Sequence, residues 1–118
     1  MSDPLIEMRD RLRAFAQARD WDQFHTPKNL SMALIAEAAE LVEHFQWLTP
    51  EQSQSLPAEK LAEIRHELAD IFIYLIRTAD KLNVDLLQAA NEKMRINELR
   101  YPAEKVRGSA RRAGEDDA

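Results

Sequence analysis

The sequence predicts an all-α protein. Among 118 residues there are only two glycines, both near the C-terminal end. The five prolines fall between segments whose apolar residues recur with a helical period. Start signals stand where those segments begin: Asp3-Pro4, Thr49-Pro-Glu-Gln52 and Asp85-Leu-Leu-Gln88. The same lack of glycine excludes a glycine-rich phosphate loop and a dinucleotide-binding crossover. At this length one folded domain is expected. It is placed at residues 1–103, followed by a charged, mobile tail at 104–118 where apolar residues nearly vanish.

Bulk properties narrow the function. The net charge of −5 argues against a general nucleic-acid binder. The absence of cysteine removes disulfides, thiol catalysis and zinc–thiolate sites. No apolar run approaches the ~20 residues that cross a bilayer, so no membrane partner is expected. The N-terminus is charged from Asp3 on and does not read as a signal peptide, which makes the cytoplasm the expected compartment.

Helix one is expected from Pro4, capped by Asp3, to about Arg19, with Leu5, Met8, Leu12 and Phe15 as its apolar stripe. Arg9, Arg11, Arg13 and Glu7 read as its solvated face. A loop follows that is dense in recognition chemistry: Trp21, Phe24, His25, Lys28 and Asn29. Taken singly, these have ordinary structural roles, the aromatics as plugs at the core edge and Asn29 as the cap of the next helix.

Helix two is expected from about Leu30 to Phe45. At 100° per residue, Leu34, Ile35, Ala38, Leu41, Val42 and Phe45 fill one arc, and Glu37 and Glu40 lie at its margin. A short turn after Thr49 and a connector lead to helix three, about Ala58 to Leu82. Its buried arc is Leu61, Ile64, Leu68, Ile71, Phe72, Leu75, Ile76 and Ala79, bordered by Glu63, Glu67, Asp70 and Tyr74. Helix four runs from Asp85 to about Leu99, packing through Leu86, Leu87, Ala90 and Met94. Lys93, Asn97, Arg100 and Tyr101 make a polar, partly cationic stripe that suits phosphates or plain solvent.

The chemistry concentrates in Glu37-Ala-Ala-Glu40 and Glu67-Leu-Ala-Asp70. A spacing of three puts both acids of a pair on one helix face. Two such helices, joined by a connection long enough to turn back antiparallel, would converge four carboxylates. Unpaired, these would repel and resist burial. Divalent cations with oxygen ligands are the natural counter-charge. A di-iron carboxylate bundle would want two Glu-x-x-His motifs, and only Glu63-Ile-Arg-His66 fits.

The order of these features resembles the MazG-like all-α nucleoside triphosphate pyrophosphohydrolases, in particular their dCTP-cleaving branch. The resemblance rests on Arg19-Asp-Trp21, Phe24-His25, Pro27-Lys28-Asn29, the Glu37/Glu40 and Glu67/Asp70 pairs, and Phe45-Gln46-Trp47. It continues through Tyr74, then Lys93-Met94, Asn97 and Arg100-Tyr101-Pro102, to Arg107-Gly-Ser-Ala. It implies a four-helix bundle assembled as a homodimer or homotetramer, with sites at subunit contacts. It also implies Mg²⁺ held by Glu37, Glu40, Glu67 and Asp70; on chemical grounds one of these four, Glu37 or Glu40 first, would accept the proton of the attacking water. Trp21, His25 and Trp47 would then lie around the base and sugar, and Lys28, Lys93, Asn97, Arg100 and Tyr101 near the sugar and phosphates. The implied reaction cleaves a nucleoside triphosphate, dCTP or a modified dCTP first, to the monophosphate and pyrophosphate, in nucleotide-pool cleansing. The rivals are the same fold acting on another standard or damaged nucleotide, and a non-catalytic helical interaction module whose acids are solvated edges.

Overall fold

The computed structural model describes residues 3–110. Within them every regular element is helical. The helices are α1 (Pro4–Ala18), α2 (Pro27–Glu43), α3 (Pro50–Ser53), α4 (Ala58–Lys81), α5 (Leu86–Arg100) and α6 (Ala103–Val106), with a 3-10 turn at Asp22–Phe24. No helix is long and apolar enough to cross a membrane. The chain divides into two compact units, one ending at Val84 and one beginning at Asp85. The second holds α5 and α6. Of the expected tail, residues 104–106 fall within α6, and residues 111–118 lie outside the described residues.

The start signals act as the sequence suggests, with one correction. The Asp3 carboxylate accepts from the Leu5 N–H, Thr49 and Gln52 form a reciprocal capping box, and the Asp85 carboxylate accepts from the Gln88 N–H. α2, however, starts three residues before the expected position. Thr26 is its N-cap, accepting from the Asn29 N–H, because Pro27 is pre-set for the first helical position. Asn29 instead sends its amide to the Phe24 carbonyl at 3.0 Å and pins the preceding loop.

α1 and α4 stop by the same device. Asp20 (φ 53°) and Asn83 (φ 55°) take the left-handed conformation that glycine usually supplies. The next residue in each case donates back into the last turn, Trp21 N–H to the Ala16 carbonyl and Val84 N–H to the Ala79 carbonyl, both at 2.9 Å. A chain short of glycine thus ends its helices with Asp and Asn, the L-residues that tolerate this region best.

In the first unit α2 packs chiefly on α4, and α1 also lies on α4. The two main helices run antiparallel, since His44 meets Lys60 while Glu37 meets Glu67. The buried apolar core is small: Ala16, Leu30, Ile64, Ile76 and Ala79. Much of the arc expected to be buried is not. On α4, Leu61, Leu68, Phe72 and Leu75 remain exposed, as do Ile35 and Val42 on α2. In the second unit Leu87 and Met94, expected to pack, are exposed too. The helical period holds, but one short chain has too few layers to cover so wide an apolar face.

Candidate metal and nucleotide site

Antiparallel packing of α2 on α4 places Glu37 opposite Glu67 and Asp70. One carboxylate oxygen from each lies within 4.8 Å of the other two. Glu37 and Glu67 are half-buried, and each keeps one buried oxygen, Oε2, that accepts no hydrogen bond. Burial pushes the Glu37 carboxyl up to about 7, aided by its contacts with Glu67 and Glu40 and by the charges of Glu40 and Asp70. Glu40 therefore stands beside Glu37, though it is exposed and outside the three-acid cluster.

Buried, mutually repelling oxygens with no hydrogen-bond donor, brought this close together, suit a cation. The donor set is all carboxylate, which suits a hard ion such as Mg²⁺ or Ca²⁺ and not a thiolate-seeking one. These residues fit a divalent metal.

The predicted substrate residues fall into three groups. In the loop between α1 and α2, Trp21 and Phe24 are exposed rather than plugged into the core edge, and Trp21 meets Phe15 edge-to-face with centroids 5.8 Å apart. His25 is half-buried, and Lys28 is exposed in the first turn of α2. Trp47, just past α2, is 87% exposed, so core packing does not explain it. Lys93, Asn97 and Arg100 lie on α5 in the second unit, where the Arg100 guanidinium sits 5.5 Å from the Tyr101 ring centre.

The sequence reading missed a charge network. Arg77, on α4, is only 3% exposed. Its Nη2 donates to Asp22 Oδ1 at 3.0 Å and lies 3.2 Å from His25 Nδ1, while Nη1 is 3.5 Å from Asp80 Oδ2. Lys81 also donates to Asp22, at 2.7 Å. Arg13, expected on a solvated face, instead grips Asp80 through both Nε and Nη2. A sequence signal existed: Arg77 follows Asp70 by seven, so it continues the border on which Glu63, Asp70 and Tyr74 lie.

Antiparallel helices that bring three carboxylates together define an all-helical protein with an acidic cluster suited to a divalent cation. The pattern of the MazG-like family matches residues 32–115, and the chain belongs to that family. It is 45% identical over 111 residues to mouse dCTP pyrophosphatase 1, covering 92% of this chain and 65% of the mouse protein. It is 46% identical over 112 residues to the bovine protein of the same name, covering 92% and 66%. The chain thus spans just under two thirds of the length of these relatives. A solved pyrophosphatase from Archaeoglobus fulgidus superposes with a TM-score of 0.82 at 35% identity, covering 86% of this chain and 95% of that one.

Proposed function

We propose that this protein is a Mg²⁺-dependent nucleoside triphosphate pyrophosphohydrolase acting on dCTP or a modified dCTP. One water is consumed, the bridge between the α and β phosphates breaks, and the monophosphate and pyrophosphate leave. The single observation carrying this reading is the convergence of Glu37, Glu67 and Asp70 with two buried, unsatisfied oxygens. The names of the mouse, bovine and archaeal relatives support the reaction class and, for the first two, the base.

Glu37, Glu67 and Asp70, with Glu40 beside them, would hold the metal, which supplies charge neutralisation and polarises phosphate oxygens. Glu40, outside the tight cluster, is the acid left to take the proton of the attacking water. Trp47 and Trp21 offer exposed rings on which a flat base can stack. His25 and Lys28 stand on the same loop and helix start. The Lys93, Asn97, Arg100 and Tyr101 stripe is carried as the sugar- and phosphate-contacting surface of the second unit.

Pyrophosphate release measured across a panel of nucleotides with Mg²⁺ tests the proposal. dCTP should lead the panel, and EDTA should abolish turnover. Equal inertness toward every nucleotide would return the chain to the interaction-module reading.

The same proposal includes self-association in the cytoplasm. The exposed apolar residues of α2 and α4 are what a second copy would cover to complete a four-helix bundle. Light scattering on the eluting protein should therefore give at least twice the chain mass of 13.6 kDa. A monomer at micromolar concentration would remove the bundle from the proposal.

A further inference from the structure

Arg77 is a cation sealed inside the first unit, and the proposed chemistry does not use it. Its hydrogen-bond partners explain why it is there. A guanidinium only donates, so the nitrogen 3.2 Å from Arg77 Nη2, His25 Nδ1, must accept. Nδ1 therefore carries no proton. The imidazole is neutral, with its one N–H on Nε2. The second hydrogen of Nη2 goes to Asp22 Oδ1 at 3.0 Å. Asp22 in turn accepts the His25 backbone N–H at its carbonyl, at 3.1 Å. Ring and backbone of His25 are thus tied to one rigid point on α4.

We infer that Arg77 is a positioning residue, which fixes His25 as the Nε2–H tautomer so that the loop presents a single N–H donor to an acceptor atom of the bound nucleotide. Among the described residues no hydrogen bond engages His25 Nε2. Protonating Nδ1 would set two donors and two positive charges face to face. Burial, and then the adjacent Arg77, hold the His25 imidazolium below the usual histidine range, against the pull of Asp22. Lys81, bound to the same Asp22, adds to the depression. The exposed part of the loop can stack on any base, because every base has a flat face. A fixed donor distinguishes an acceptor from another donor on the guest, which is the stronger kind of selection.

The inference rests on the base-site reading of His25 given above, and the test separates the two. Proton–nitrogen correlation spectra of the imidazole report the tautomer directly. Wild-type protein should show His25 with an acceptor-type Nδ1 and a protonated Nε2, staying neutral below the ordinary histidine midpoint near ~6.5. Arg77→Met should fold, since Asp22 keeps Lys81 and Asp80 keeps Arg13 as partners. In that variant the tautomers should mix and the midpoint should rise. Its KM for dCTP should increase about tenfold, the worth of one hydrogen bond, with kcat within about twofold of wild type. A wild-type ring with mixed tautomers, or a raised KM in Arg77→Met with the tautomer unchanged, overturns the positioning role. If the tautomer collapses in Arg77→Met while KM is unchanged there and in His25→Ala, the base-site reading falls and takes the role toward nucleotide with it.

Discussion

Glu37→Gln is expected to lose at least about a hundredfold in Mg²⁺-dependent turnover, because cation-borne charge stabilisation is worth several kcal/mol. The same substitution should make the metal-free protein more stable. Glu37 is squeezed between Glu40, Glu67 and Asp70, and its carboxyl is pushed up from an ordinary 4.5 to about 7. An acid raised in the folded state holds its proton there while the unfolded chain gives it up. The stability it contributes is therefore whole below about pH 4.5 and lost as pH rises through about 7. Glutamine has nothing to lose. The gap in melting temperature between Glu37→Gln and wild type, both in EDTA, should widen from pH 5 to pH 8. Adding Mg²⁺ should raise the wild-type midpoint and leave the variant nearly still. Unimpaired turnover in Glu37→Gln would end the metal assignment. A variant that melts lower than wild type in EDTA at pH 8 would end the account of the strained cluster.

Asp80→Ala should destabilise the fold by about 3 kcal/mol, the cost of stranding a buried cation. The Asp80 side chain is 9% exposed and sits between Arg13 of α1 and Arg77 of α4. Its removal leaves Arg77 with Asp22 and His25 and frees α1 from its polar tie to α4. The Arg13 hydrogen bond, with the charges of Arg13, Arg77 and Arg9, holds the Asp80 carboxyl below its ordinary value of 3.8 despite burial. An acid lowered in the folded state contributes stability that is complete above the unfolded value. That stability drains as pH falls through the folded one. Wild type should therefore soften below about pH 4, and Asp80→Ala should lack that part of its acid sensitivity. Urea unfolding at pH 7 and pH 3 measures both. A loss under about 1 kcal/mol at pH 7 would show the network to be an ordinary surface ion pair.

Helix limits and the acid pairs were legible because they depend on local rules: capping chemistry, proline placement, and a spacing of three beside an apolar stripe. α4 was placed to within a residue for that reason. The start of α2 was misplaced because Asn29 reads as a cap in isolation, whereas Thr26-Pro27 repeats the cap-and-proline signal of Asp3-Pro4 and Thr49-Pro50 and sets the true start. The convergence of Glu37 with Glu67 and Asp70 followed from two periodic faces that must meet, whereas Glu40 fell just outside the group. Arg77 and Asp80, three apart on one helix, were legible as neighbours, but Arg13 could not be read as a partner of Asp80. A pair so far apart in the chain depends on how α1 lies on α4, and helix periodicity does not encode that. The exposure of Leu61, Leu68 and Phe72 was illegible for a related reason: a stripe says that something covers it, not whether the cover comes from the same chain.

Asp20 and Asn83 have one further consequence. No glycine precedes Gly108, so the long helices of the first unit have no internal joint. Any swing that accommodates a guest must be taken up where the helices end, those two left-handed positions among them. Asp20 is itself latched, since the Gln23 amide donates to both its carboxylate and its carbonyl, at 2.9 and 3.1 Å. The first unit should accordingly move as stiff rods joined at short connections, of which the one beside Trp21 is held by the Gln23 latch.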